Sequence, residues 1–195
     1  MFNFHRHPCN DVARLWALRA LVNLHGYKRL PGYPRDLSPD DDVLRLVGLG
    51  HLDYEQVNAR GFVGQLREVH EDEEALQPDI EGNLRRNLNK LGELLGLNSV
   101  EQQILGFVVV LNSHDALEEA VVTLGNLNYS GLVAAIAGVL KIRRPVVAKA
   151  LGSNSTLSQS GLLRLASPHP DTLKERLSPL MGLVDRMYEC HRHPE

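Results

Sequence analysis

Residues 130–165, SGLVAAIAGVLKIRRPVVAKALGSNSTLSQSGLLRL, contain the most informative pattern of this chain. Apolar residues recur at helical spacing from Ser130 to Leu140, which predicts a helix over these positions. Pro145 suits the first turn of a second, short helix that ends at Gly152. The Ser, Asn and Gly residues that follow predict a loop, and residues 162–165 predict a short strand. The stretch therefore predicts helix, turn, helix, loop and strand in that order.

This order resembles a winged helix-turn-helix, in which the two helices and the strand share one apolar core. The same stretch is basic, because five Lys and Arg residues and no acidic residue occur between Glu119 and Asp171. We predict that these five side chains bind a partner: Lys141, Arg143, Arg144, Lys149 and Arg164. The second helix offers mainly Val and Ala, so it is poorly suited to reading DNA bases, whereas contacts to phosphates require only positive charge.

The rest of the chain also has helical periodicity. Pro78 interrupts it after an acidic run, Glu71 to Glu74, which we interpret as a helix end or a solvated linker. We place a boundary there, with a helical subdomain at 1–77 and a helical, winged-helix-like subdomain at 78–195. Further helices are predicted at 10–26, 38–47, 55–75, 80–96, 99–111, 115–124 and 171–187.

Small polar residues indicate where these helices begin. The expected caps are Asn10 or Asp11, Ser38 followed by Pro39, Ser99 in a capping box with Gln102, Ser113 or Asp115, and Asp171. The predicted fold class is mainly α, a helical bundle with a winged-helix-like unit and a small β element in the C-terminal half.

Composition sets broad limits on the class of protein. The chain has 195 residues, 43% of them hydrophobic, a net charge of -3 and two cysteines. These values are typical of a globular domain with a real core, and they argue against disorder or a disulfide scaffold. The apolar runs are shorter than the roughly 18 residues of a membrane helix, and the start lacks a signal-peptide segment. We therefore expect a cytoplasmic protein that does not contact membranes.

The common catalytic motifs are missing from the sequence. No lysine follows a glycine, so there is no P-loop, and His70-Glu71 lacks the second histidine of a zinc-protease helix. Gly48-Leu49-Gly50 lacks the third glycine of a dinucleotide turn. His114-Asp115 is better explained by capping of a helix than by metal chemistry. We predict no catalytic and no cofactor-binding residue in this chain.

Both ends of the chain carry the sequence His-Arg-His-Pro beside a cysteine, at His5 to Cys9 and at Cys190 to Pro194. Together the two segments could offer zinc a set of His and Cys ligands, which leaves a zinc-dependent enzyme as a weak alternative. The spacing matches no common zinc finger, and six candidate ligands exceed the four of a structural site. We therefore predict solvated tails and no metal site.

Two blocks resemble the N-terminal region of bacterial AAA+ family ATPases. One is RLWALRALV at 14–22, and the other spans 84–165, with LLGL at 94–97, EQQILGF at 101–107 and LSQSGLL at 157–163. The resemblance implies an N-terminal domain that recognises substrates or adaptors. It also implies that ATP and Mg²⁺ bind only in a downstream ATPase domain, because this chain contains no Walker motif.

We therefore expect a non-catalytic recognition or regulatory domain of an AAA+ ATPase. Its expected partners are a protein substrate or adaptor and the ATPase core of the same polypeptide. The alternative is a winged-helix nucleic-acid-binding protein that uses the basic stretch 141–164 on phosphates. Salt dependence separates the two, because phosphate binding weakens steeply as salt increases.

Overall fold

The computed structural model describes residues 7–35, 37–38, 41–52, 58–166 and 172–190, and the described part is mainly helical. A short 3-10 helix lies at Gly26–Arg29. The α-helices are α1 Asn10–Val22, α2 Asp42–Leu46, α3 Ala59–Leu76, α4 Gly82–Leu95, α5 Ser99–Ser113, α6 Asp115–Val122, α7 Tyr129–Leu140, α8 Arg144–Ala150, α9 Thr156–Gln159, α10 Leu173–Arg176 and α11 Leu183–Tyr188. The strands are β1 Leu163–Leu165 and β2 Leu177–Pro179. No helix of the described residues is long and apolar enough to cross a membrane.

Helix α5 lies at the centre of the core. Its residues from Ile104 to Leu111 are completely buried, as their nearly continuous apolar sequence predicts. Helices α4, α6, α7, α8 and α11 all pack against it. A helix that is apolar on every side needs such neighbours, so α5 organises the second half of the chain.

Helix α1 connects the two halves. It packs against α3 on one side of the predicted boundary and against α6 and α7 on the other. Trp16 is a core residue, with its ring edge-on to Phe107 of α5 at a centroid distance of 5.2 Å. Buried side chains from both sides of residue 77 belong to one apolar cluster. The division at 77 and 78 stays a prediction.

Two glycines let α4 and α5 approach each other closely. A Cβ on Gly92 of α4 would lie 2.3 Å from Nε2 of Gln102, and one on Gly106 of α5 would lie 3.0 Å from Cδ1 of Leu88. Close packing explains these helical glycines, as their sequence positions suggest. Gly131 is different, because a Cβ there would meet only Leu127 and Asn128 of its own chain segment. Contact with a second helix therefore does not explain Gly131.

Several predicted caps are wrong by a few residues. Asp41, not Ser38, caps α2, and Asn98, not Ser99, caps α5 in a capping box with Glu101. His114 itself caps α6, where Ser113 or Asp115 was expected. Each region offers several short polar side chains within one turn, and the backbone decides which of them can reach an unpaired amide. Helix α1 has no side-chain cap, and residues 39–40 and 171 lie outside the described residues.

The predicted last helix is interrupted. Its middle forms β2, which pairs antiparallel with β1 so that Leu163 lies opposite Pro179 and Leu165 opposite Leu177. The predicted strand at 162–165 is confirmed as β1. A strand needs a hydrogen-bonded neighbour. Residues 177–179 pair with β1 and therefore do not continue the helix. Gly182, with φ of 73°, then starts α11.

Candidate functional site

The basic turn between α7 and α8 is short and well defined. Lys141 adopts the left-handed conformation, with φ of 53°, and ends α7. The amide of Ile142 donates to the carbonyl of Ala137 at 3.1 Å, which satisfies the end of the helix. Arg143 is extended, and α8 then begins with Arg144, with proline in its first turn as predicted. This turn fixes the direction of α8 against α7.

Lys141 is paired with an acidic residue of α3. Its Nζ lies 2.8 Å from Oε2 of Glu74 in α3, although the lysine side chain is 53% exposed. The same carboxylate accepts hydrogen bonds from Nε and Nη2 of Arg19 at 2.8 and 2.9 Å. The Lys141 charge is thus largely balanced within the chain, which leaves it less available to a partner than the sequence suggests.

The other four cations of the predicted site remain open to solvent. Arg143, Arg144 and Lys149 are exposed on or beside α8, and Arg164 is exposed in the middle of β1. Within the described part of the chain, none of these four forms an ion pair. The structure therefore places Arg144 and Lys149 on one short helix, Arg143 directly before it, and Arg164 on β1.

A groove of about 360 Å³ runs beside Lys149. Its walls are the start of α5 on one side and α8 with the start of α9 on the other, and half-buried Val146 lies on its lining. Of the five predicted site residues, only Lys149 lines this groove. A surface of this kind combines an apolar side chain with one exposed positive charge.

Glu101 forms part of the wall of the groove but contributes little free charge to it. The residue is 2% exposed, and its Oε1 accepts from the amide of Thr156 at 2.7 Å. Its Oε2 accepts from the amide and the side-chain nitrogen of Asn98 at 3.0 and 2.8 Å. The carboxylate therefore joins the starts of α5 and α9, and Lys149 sets the sign of the exposed charge.

Sequence reasoning missed the acidic residues at the end of α3. Of the two interpretations of 71–74, the helix end is confirmed, because these residues lie in the last turns of α3. The solvated linker is wrong, since Glu73 and Glu74 are packed against α1. Glu73 pairs with Arg14 at 3.1 Å, next to the Arg19 pair of Glu74. The arginines within the otherwise apolar α1 pattern were the available signal, since a buried arginine needs an acidic partner.

Sequence reasoning also missed a pair of histidines, His7 and His114. Their ring centroids are 5.0 Å apart, and His7 lies edge-on to Tyr188 of α11 at 5.5 Å. Nothing in the sequence spacing brings residues 7 and 114 together. Of the terminal segments considered for zinc, residues 1–6 and 191–195 lie outside the described residues. Among the residues that are described, no group of three or more His, Cys, Asp or Glu side chains could hold a metal ion.

The arrangement has the properties of a binding surface. Exposed cations, a shallow groove and a half-buried valine can hold an acidic segment with an apolar side chain by ion pairs and burial. Comparison with known proteins adds no further constraint: no protein-family model, curated protein or solved structure matches the chain.

Proposed function

We propose that this chain is a non-catalytic recognition module of an AAA+ ATPase, and that it binds a protein substrate or adaptor on the face of α8. The observation that carries the proposal is the groove lined by Lys149 of α8. Arg143 and Arg144 are exposed at the start of the same helix but do not line the groove. The resemblance of 14–22 and 84–165 to the N-terminal regions of these ATPases supports the same reading. ATP and Mg²⁺ would bind only in a downstream ATPase core.

The element order supports a winged-helix-like unit within this module. Helices α7 and α8 pack against each other across the short turn at Lys141, and the antiparallel pair of strands β1 and β2 follows them in the chain. In such a unit the second helix and the hairpin present the binding surface. Three of the proposed contact residues lie on or beside α8, and Arg164 lies on β1.

The chemistry of the surface indicates the chemistry of its partner. Exposed cations favour an acidic segment, and the half-buried Val146 favours an apolar side chain within it. Helix α8 is short and carries mainly Val and Ala, so it offers few side chains for the hydrogen-bond readout of DNA bases. A protein segment therefore fits this face better than a base sequence does.

The test is a titration of the ¹⁵N-labelled protein with a short peptide of alternating Glu and Leu. We expect amide shifts at residues 146–150 and 154–156, and a loss of affinity of about tenfold in K149E, since one exposed pair contributes up to roughly 1 kcal/mol and charge reversal adds repulsion. The matched control is K90E, which reverses an exposed charge on α4. Equal affinity of the two variants, or shifts confined to other elements, would refute the proposal.

The second candidate is a nucleic-acid-binding protein, which the four exposed cations Arg143, Arg144, Lys149 and Arg164 favour. Contacts to four phosphates predict that duplex affinity falls by roughly 100-fold between 50 and 200 mM salt. A peptide held in the groove by one ion pair with Lys149 loses far less affinity over the same range, because salt screens a single pair. A duplex affinity that is unchanged in R143E/R144E would reject this candidate.

A further inference from the structure

Two histidines meet where the segment before α1 crosses the junction of α5 and α6. The ring of His7 contacts that of His114 edge-on, with centroids 5.0 Å apart, and also contacts the ring of Tyr188. The hydroxyl of Tyr188 hydrogen-bonds Oγ of Ser113 at 2.8 Å, next to His114. These contacts join the start of α1, the α5–α6 junction and α11 at one point.

Each ring accepts a backbone hydrogen bond at the start of a helix. Nδ1 of His7 accepts from the amide of Cys9, the residue before α1, at 3.2 Å. Nδ1 of His114 accepts from the amide of Leu117 in the first turn of α6 at 3.4 Å. A ring nitrogen accepts only when it carries no proton, so this hydrogen-bond pattern assigns both rings as neutral.

Protonation would break this arrangement in three ways. Both rings would lose the lone pair that accepts the amide. Each would place a positive charge at a helix N-terminus, where the helix dipole already disfavours cations. Two positive charges would also face each other at a centroid distance of 5.0 Å.

The charged and titratable surroundings do not reverse this preference. Burial lowers the pKa of both histidines, while the Asp115 carboxylate opposes this in each case. An open cleft of about 740 Å³ separates the pair from α2, whose charged residues there are Asp42 and Arg45. The adjoining elements also carry other charged or titratable groups: Cys9, Asp11, Glu81, Glu118, Glu119, Asp185, Arg186 and Tyr188.

We propose that His7 and His114 form a proton-sensitive latch, closed while both rings are neutral and opened when acid protonates them. Because both pKa values are lowered in the folded chain, the stability of the closed form is fully present above about 6.5, the ordinary histidine value, and is lost as the pH falls below it. Opening frees the segment before α1 and exposes the thiol of Cys9, which is only 3% exposed in the closed form.

The reactivity of the Cys9 thiol measures directly whether the latch is open. In C190S it is the only thiol of the chain. Its rate of reaction with 4,4′-dithiodipyridine is measured at pH 7.5 and 5.5 and divided by the rate of glutathione at the same pH. We call the inverse of this ratio the protection of Cys9. We expect the protection to fall by roughly tenfold at the lower pH, because the closed form loses stability as the two histidines take up protons. Urea unfolding at both pH values separates local opening from global unfolding.

The decisive comparison is the same measurement in C190S/H7N/H114N. Asparagine keeps an acceptor oxygen suited to a helix start but takes up no proton in this range, so protection should become independent of pH. C190S/H51N removes an exposed histidine and should behave as C190S does. Equal protection of C190S at both pH values, or the same fall in the asparagine variant, overturns the latch. If the double substitution prevents folding, C190S/H7N is measured, and an undiminished pH effect there overturns it equally.

Discussion

Substitution of Glu74 by Gln tests a largely buried polar contact that joins α3 to α1 and to the end of α7. The Glu74 carboxylate accepts hydrogen bonds from Nε and Nη2 of Arg19, and Nζ of Lys141 lies 2.8 Å from it. Nε2 of His70 lies 3.2 Å from the same carboxylate. Nη1 of Arg19 donates to the carbonyl of Val139 at 2.8 Å. One carboxylate thus holds α3 against both α1 and α7, with the Glu74 and Arg19 side chains only 13% and 7% exposed.

The size of the effect follows from the pKa of Glu74. Hydrogen bonds from Arg19 lower it most, against an opposing effect of burial, and Lys141 lowers it further, to about 2 from its usual 4.5. This difference corresponds to about 3 kcal/mol of folding free energy at pH 7. Because the folded pKa is depressed, this stability is present above pH 4.5 and is lost as the pH falls toward 2, with about 1.4 kcal/mol left at pH 3.

The assay is urea denaturation of the wild type and E74Q at pH 7 and pH 3. Gln keeps the shape of Glu and one acceptor, but it leaves the Arg19 guanidinium buried without a counter-charge. We expect E74Q to lose about 3 kcal/mol at pH 7 and less than half of that at pH 3. E71Q removes an exposed carboxylate from the same helix and should change stability by less than about 0.5 kcal/mol. This role of Glu74 is refuted if E74Q lowers the free energy of unfolding equally at both pH values, or by less than about 1 kcal/mol at pH 7.

Two further predictions concern packing. E101A removes the acceptor of the Thr156 and Asn98 amides and should destabilise the fold by about 1 to 3 kcal/mol in urea denaturation, because a buried carboxylate that joins two helix starts is lost. A loss within experimental error would mean that water replaces the carboxylate. Gly106→Ala should lower the melting temperature, since its Cβ would crowd Leu88 and cost about 1 to 3 kcal/mol. Gly64→Ala in α3 meets no atom within 4 Å and should raise the melting temperature through helix propensity; equal effects at the two glycines would contradict this account.

The helices of this protein were largely predictable, because their signals are local. Apolar spacing identified the buried run from Ile104 to Leu111, and Gly96 marked the end of α4, where its φ is 73°. The caps were less predictable. Ser99 and Asn98 are adjacent and chemically similar, and only the backbone conformation favours the side chain of Asn98.

The candidate site was predictable only as a set of charges. The acid-free stretch identified Arg143, Arg144, Lys149 and Arg164, which are all exposed. The sequence did not reveal that Lys141 pairs with Glu74, which lies 67 positions earlier in the chain. Nor did it reveal the groove at Lys149, whose walls come from separate segments of the chain.

By itself, the amino-acid sequence determined which segments become helical and which faces of them are apolar, because periodicity and glycine positions act within a few residues of each other. Tertiary structure alone decided that residues 177–179 form a strand instead of continuing a helix, since that choice depends on β1 as a partner. It also brought Glu74 to Arg19 and His7 to His114. Such pairings depend on how whole helices pack, and packing is set by the combined shape of surfaces that lie far apart in the chain.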